Sequence, residues 1–153
     1  QGVPNLDLQP GTGSWDLIGY LSYGLKIKSV GLNSVLTIKH NGKDHNNYRY
    51  GTTFNSTVNL FNDFRIKSVT IRAQAGLYIE NALMDASFDA YNHIRTDYTE
   101  TGGSVLFGNW GLQFYFKDFM IFGEYQKMLK SALNGYSQLL TLYKFNLGLT
   151  YNF

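Results

Sequence analysis

Residues 139–153 read LLTLYKFNLGLTYNF, and their alternation decides the fold. One parity carries Leu139, Thr141, Tyr143, Phe145, Leu147, Leu149, Tyr151 and Phe153. The other carries Leu140, Leu142, Lys144, Asn146, Gly148, Thr150 and Asn152. Period two over that length specifies a strand with one apolar and one mostly polar face. A strand this long that ends on an aromatic has the form of the closing strand of a membrane β-barrel. Tyr151 and Phe153 are its expected insertion and closing signal.

The same alternation runs backward through the chain. It predicts strands at 14–27, 30–40, 48–60, 65–80, 104–116 and 119–129 before the terminal one. Their apolar parities include Leu17, Leu21 and Leu25, then Leu32, Leu36 and Ile38, and later Ile71, Leu77, Trp110, Leu112, Phe114 and Ile121. Connections alternate in length. Lys28-Ser29, Asn62-Asp63 and Lys117-Asp118 read as tight turns, and 41–47, 81–101 and 131–137 as longer polar loops. Short turns at one end and long loops at the other is the pattern of bacterial outer-membrane barrels, with the short turns and the C-terminus periplasmic. The expected fold is therefore all-β, an antiparallel up-and-down transmembrane barrel with seven to eight strands in this chain. Its domain is 14–153 with a long loop at 81–101, preceded by an extracellular loop or extension at 1–13.

Composition agrees. The 153 residues hold 12 Tyr, 11 Phe and 16 Gly against 2 Pro, a β-rich profile that fits one domain. A net charge of +2 implies no polyanion, so no nucleic-acid partner is expected. With no Cys, disulfides and thiolate metal sites are excluded. No apolar run approaches 18 residues, so no transmembrane helix is expected, and a barrel needs none. The chain begins at Gln1 without a basic-then-apolar leader, as a mature chain or a fragment would. Trp15, Tyr48 and Tyr50 near the loop end, and Phe116, Phe119, Tyr151 and Phe153 near the turn end, read as two aromatic girdles.

Strand parity adds a topological expectation. The terminal strand runs toward the periplasm and, counting back, so does the first. Both termini of a single-chain barrel normally lie in the periplasm, so an upward strand is missing before Ser14. Residues 1–13 hold both prolines and read as a loop. The chain is thus expected to be the C-terminal part of a larger barrel. The alternative is an eight-stranded barrel with an irregular strand at 86–95.

Several segments in order carry a resemblance. They are Gln9-Pro10-Gly11-Thr12-Gly13-Ser14-Trp15-Asp16, Gly31-Leu32-Asn33-Ser34, Tyr48-Arg49-Tyr50-Gly51, Leu106-Phe107-Gly108 and Gly148-Leu149-Thr150-Tyr151-Asn152-Phe153. Together they resemble the C-terminal half of bacterial outer-membrane transporters of the porin-like "MetA-pathway of phenol degradation" family. The resemblance implies a whole barrel of around a dozen strands, in which the Gly-Thr-Gly-Ser segment lies mid-chain. It implies a transporter class and names no ligand.

The face opposite the lipid would line a lumen. It carries Asp16, Tyr20 and Lys26, then Asn33 and Lys39, then Arg49, Asn55 and Asn59. Arg72, Gln74, Tyr78 and Glu80 follow, then Asn109, Gln113, Tyr115, Glu124, Gln126, Lys144 and Asn146. These are the pore candidates, with ion pairs expected from Arg72 or Lys144 to Glu124. They would set selectivity in an open pore or stabilise a plugged interior. Phe107, Phe122, Leu140 and Leu142 read as an inward apolar patch near the loops.

His40, His45 and His93 sit at the loop end, and with Asp44 and Asp89 lack a ligand constellation, so no metal or cofactor is expected. Ser34 lies some six residues below His40 on outward parity, too deep for a nucleophile–base pair, so an enzyme is not expected. The leading expectation is a channel for small solutes, hydrophobic or aromatic ones among them, gated by 81–101. The other is a non-transporting structural or accessory barrel subunit. Expected partners are outer-membrane lipid, the barrel-assembly machinery and other outer-membrane subunits.

Overall fold

The computed structural model describes residues 14–89, 94–135 and 141–151. Residues 1–13, His93, Leu139, Leu140 and Phe153 lie outside the described residues, and so do the expectations placed on them. The described residues form ten strands and no helix.

Three long hairpins and a final strand build the main sheet. They are β1 (Asp16–Ile27) with β2 (Val30–Asn41), β4 (Thr53–Ile66) with β5 (Val69–Ala82), β8 (Gly103–Phe116) with β9 (Phe119–Leu133), and β10 (Tyr143–Tyr151). Every neighbour pair is antiparallel, in the order β1-β2-β4-β5-β8-β9-β10. The sheet is open: among the described residues β1 pairs only with β2, and β10 only with β9. A β-bulge in β9 opposite Leu106/Phe107 shifts the register near the loop end.

Each hairpin closes on a two-residue turn, and the first turn residue is a lysine in the left-handed region. The φ angles are 59° at Lys28, 55° at Lys67 and 49° at Lys117. Positive φ costs a Cβ-bearing residue energy and is tolerated mostly in tight turns. The second turn therefore falls at Lys67-Ser68 and not at Asn62-Asp63, which stand well inside β4.

A second, three-stranded sheet sits at the loop end, in the order β3-β6-β7. It comprises β3 (Tyr48–Arg49), β6 (Asp85–Phe88) and β7 (Arg95–Tyr98). Tyr48 and Arg49 therefore do not extend β4. Tyr50, Gly51 and Thr52 separate them from β4, and the Leu83 N–H donates to the Thr52 carbonyl there. Of the irregular strand expected at 86–95, residues 86–88 fall in β6 and Arg95 in β7, both in this cap and not in the main sheet, and residues 90–93 lie outside the described residues.

Parity sorts the main sheet into two unlike faces. One carries Leu21, Leu25, Leu36, Leu60, Leu77, Leu112, Ile121 and Leu147, all more than a third exposed. The other carries Asn59, Phe61, Phe107, Asn109 and Gln126, all buried. Burial is thus inverted relative to an ordinary water-soluble sheet, which hides its apolar side.

Candidate functional site: the polar face of the sheet

The polar face is concave. Lys144 on β10 reaches Glu80 on β5 at 3.0 Å, although β8 and β9 lie between them. A flat sheet would hold those backbones about 14 Å apart. Gln74 on β5 donates to Glu124 on β9 at 3.4 Å across Gly111 of β8. Lys26 on β1 reaches Asp63 on β4 at 2.6 Å over β2, diagonally from the Gly31–Phe61 row toward the turn. Glycines leave room on this face for the side chains that fold across it. A Cβ on Gly111 would meet the Gln74 side chain at 2.9 Å, and one on Gly31 would collide with the Phe61 ring.

Three ionic groups result. Asp63 stands directly opposite Arg72 and accepts two bonds from its guanidinium, at 2.7 Å and 3.0 Å, besides the bond from Lys26. Arg72 also lies 4.0 Å from the Phe61 ring centre and 5.5 Å from that of Tyr115. A bidentate Arg–carboxylate pair is among the stronger polar contacts, and the flanking rings hold the guanidinium plane. Glu80 takes Lys144 and the Tyr78 hydroxyl, while Lys144 lies 4.3 Å from the Phe107 ring centre. Asp16 pairs with Lys39 at 2.9 Å near the loop end of β1 and β2.

Glu124 departs from expectation. Neither Arg72 nor Lys144 reaches it in an ion pair. It accepts instead from Gln74 and, at 2.6 Å, from Gln126. Gln113 donates to Gln74 at 3.2 Å and accepts from the Tyr115 hydroxyl. A chain of amides therefore holds the carboxylate in place, and the cations are taken up elsewhere.

Of the residues picked from sequence, Asp16, Tyr20, Lys26, Arg72, Gln74, Tyr78, Glu80, Gln113, Tyr115, Glu124, Gln126 and Lys144 all stand on this face by register. Arg49 does not. It belongs to β3 in the cap, with its guanidinium 5.4 Å from the Phe88 ring centre and Lys43 3.6 Å from the same ring. The inward apolar patch does not form as one unit either. Phe107 packs against Tyr78 near the loops, Phe122 lies nearer the turns over Gly148, and Leu142 is exposed.

A middle row on this face escaped sequence reading. Register aligns Asn33, Asn59, Gly76, Asn109, Gln126 and Lys144 across six strands. Asn59 and Asn109 are 4% and 2% exposed. Neither Asn59 Oδ1 nor either polar atom of the Asn109 side chain has a hydrogen-bond partner among the described residues. A cavity of about 370 Å³ opens beside the row, lined by Asn33, Thr57, Asn59, Gln113, Phe122 and Glu124 among others.

The apolar face carries its own order. Phe116, Phe119 and Tyr151 cluster at the turn end, with ring centres 5.8 Å and 4.8 Å apart. Trp110, Tyr125 and Tyr143 stack farther up, at 6.1 Å each. Trp15 lies near His40 at the loop end, but Tyr48 packs with Tyr50 and Tyr98 in the cap and not on the main sheet. His40 Nδ1 is engaged by the Thr52 hydroxyl at 2.9 Å. In the cap, Asp85 accepts from the Tyr48 hydroxyl and the Gly51 N–H, both at 2.6 Å. Burial first, and then this carboxylate, raise the Tyr48 phenol above its ordinary pKa.

No protein-family model, curated protein or solved structure matches the chain.

Proposed function

We propose that this chain forms the wall of an outer-membrane β-barrel channel that passes small solutes along its polar face. The inverted burial carries the proposal. Leu60, Leu112 and Leu147 are 61%, 48% and 71% exposed on one face, while Asn109 is 2% exposed on the other. So many exposed large apolar side chains on one face are costly in water and suit the outer wall that lipid requires. Strands of 9 to 15 residues are long enough to cross a bilayer. The Phe116, Phe119 and Tyr151 cluster at the turn end suits one interface. The segments quoted above, which resemble porin-like transporters, point to the same class. In this reading Lys26, Arg72, Glu80, Glu124 and Lys144 face a lumen, and the small sheet at the loop end lies over its mouth.

The test is current across a planar bilayer, together with solute entry into liposomes carrying the native protein. Steady unitary conductance supports the proposal. Absence of both current and solute entry from correctly inserted protein would sink it.

A further inference from the structure

We infer that the middle row of the polar face is a binding site for an uncharged, hydroxyl-rich solute such as a small sugar. This deepens the channel reading and rests on it for the enclosure of the polar face.

Charge is the first constraint. Lys26, Lys39, Arg72 and Lys144 stand against Asp16, Asp63, Glu80 and Glu124 one for one on this face, with Arg65 as a further cation beside the turn. Most are consumed by one another: Asp63 by Lys26 and Arg72, Glu80 by Lys144, Asp16 by Lys39. Glu124 is occupied by Gln74 and Gln126. An anionic solute would have to break these pairs to reach Lys26, Lys39, Arg72 or Lys144, and a cationic one would find Glu124 already held by two amides, so the middle of this face favours an uncharged solute.

The unused polarity is carboxamide. Asn59 and Asn109 are more than nine-tenths buried, and Asn59 Oδ1 and both polar atoms of Asn109 have no partner among the described residues. A buried amide without partners costs free energy, which a bound group that both donates and accepts would recover. A hydroxyl does both, and a carboxamide offers both in return. Asn59 lines the 370 Å³ cavity, which has room for a monosaccharide or disaccharide, and Asn109 stands two strands away in the same row, off its lining.

Gly76 sets the spacing. It falls between Asn59 and Asn109 in register, and a Cβ there would collide with the Asn59 carboxamide and the Val58 carbonyl. The absence of a side chain lets the Asn59 amide lie over the strand toward Asn109. Apolar rings supply the second half of sugar recognition, a flat surface for C–H faces. Phe122 lines the cavity, and Phe107 and Tyr78 occupy the adjoining row. A few fixed polar groups among apolar walls is the usual make-up of a small-molecule site.

The probe is maltose. Its binding to the detergent-solubilised native protein is measured by calorimetry, and its block of KCl current is measured in planar bilayers. Glucose 6-phosphate serves as the charged control and benzyl alcohol as the apolar one. Maltose should bind and interrupt the current, and both controls should be at least tenfold weaker. Asn59→Leu and Asn109→Leu should each weaken maltose binding at least tenfold, and the maltose block, scored as a fraction of each variant's own open current, should fall with it. Should either variant fail to insert, Gln126→Leu is the substitute in the same row. Asn109→Asp gives a separate reading: it should make a nearly unselective channel cation-selective, seen as a shifted reversal potential. Current without maltose binding, or maltose binding unchanged in the Leu variants, overturns the sugar site and leaves the channel standing. Maltose binding without any current overturns the channel and leaves the site standing.

Discussion

Replacing Leu112 by Arg tests whether the apolar face lies in hydrocarbon. Leu112 points to that face on β8, opposite Ala73 and Gly123, four positions before the strand ends at Phe116. Four residues of strand rise about 13 Å. A tilt of about 40° leaves about 10 Å along the membrane normal. An apolar band about 25 Å tall has its midplane about 12 Å from the turn-end boundary, so Leu112 lies close to the midplane. An Arg on the lipid face costs about 2–4 kcal/mol there and about 0–1 kcal/mol near an interface. Leu112→Arg should therefore lower the folding equilibrium constant roughly 30- to 700-fold. Ile66→Arg, in the last residue of β4 beside its turn, should stay within about 1 kcal/mol. Urea unfolding in liposomes, followed by tryptophan fluorescence, measures both. Equal costs at the two positions, or a neutral Leu112→Arg, would refute the depth argument and the lipid assignment with it.

Three further outcomes are expected. Arg72→Met should lower the thermal midpoint more than Lys26→Met, because Arg72 gives Asp63 two bonds from a half-buried position and Lys26 gives one from a largely exposed one; equal shifts would mean that the ring-flanked geometry contributes nothing. Lys67→Asn should be neutral or stabilising and Lys67→Val destabilising by about 1–2 kcal/mol, because φ is 55° at that position. The Tyr48 phenol binds its proton more tightly folded than unfolded, so its contribution is intact below about pH 10 and is lost as pH rises through the folded value. Alkaline difference spectra should lose one late-titrating tyrosine in Tyr48→Phe, and identical titrations would contradict the burial of Tyr48 and its Asp85 contact.

The face of every wall strand was legible because alternation needs only local order. Each strand keeps one parity against a single environment, so Leu112 and Gln113 could be sorted without knowing their neighbours. Partners were less legible because they depend on register, and register depends on where the turn falls. Asn62-Asp63 carries turn-forming residue types, whereas the chain reverses at Lys67-Ser68. That displacement sets Asp63 opposite Arg72 and so removes Arg72 from Glu124. A usable signal existed: Ile-Lys-Ser-Val recurs at 27–30 and 66–69, and both copies form the turn. Tyr48 and Tyr50 kept strand parity with Phe54, but Gly51 and Thr52 break the strand and β3 finds β6, thirty-odd residues away. The amide row lay beyond sequence reading for the same reason, since only pairing across six strands brings Asn33, Asn59, Asn109 and Gln126 to one level.

The channel proposal leaves two open edges to account for. In lipid, an edge exposes backbone N–H and C=O groups that no water can satisfy, so a spanning sheet must close. β1 and β10 are both edges among the described residues, and both run from the loop end to the turn end. A second copy inserted in the same orientation would set β10 of one against β1 of the other in parallel. Parallel ladders are slanted and slightly less stable per residue. An odd number of intervening strands instead gives antiparallel neighbours at both seams, and it continues the alternation found everywhere else in this wall. Closure by such strands is therefore expected over closure by a second copy. The chain has no Cys of its own, so a pair placed at Ser22 on β1 and Asn146 on β10 reports cleanly. Both positions lie on the polar face, where a β1–β10 seam between copies would bring them within disulfide reach in some register. Oxidised protein in the membrane should run as a monomer under denaturing, non-reducing conditions. A disulfide-linked dimer, also obtained when the cysteines are moved to Gly24 and Lys144, would show that copies of this chain close on each other and would overturn the odd-strand argument.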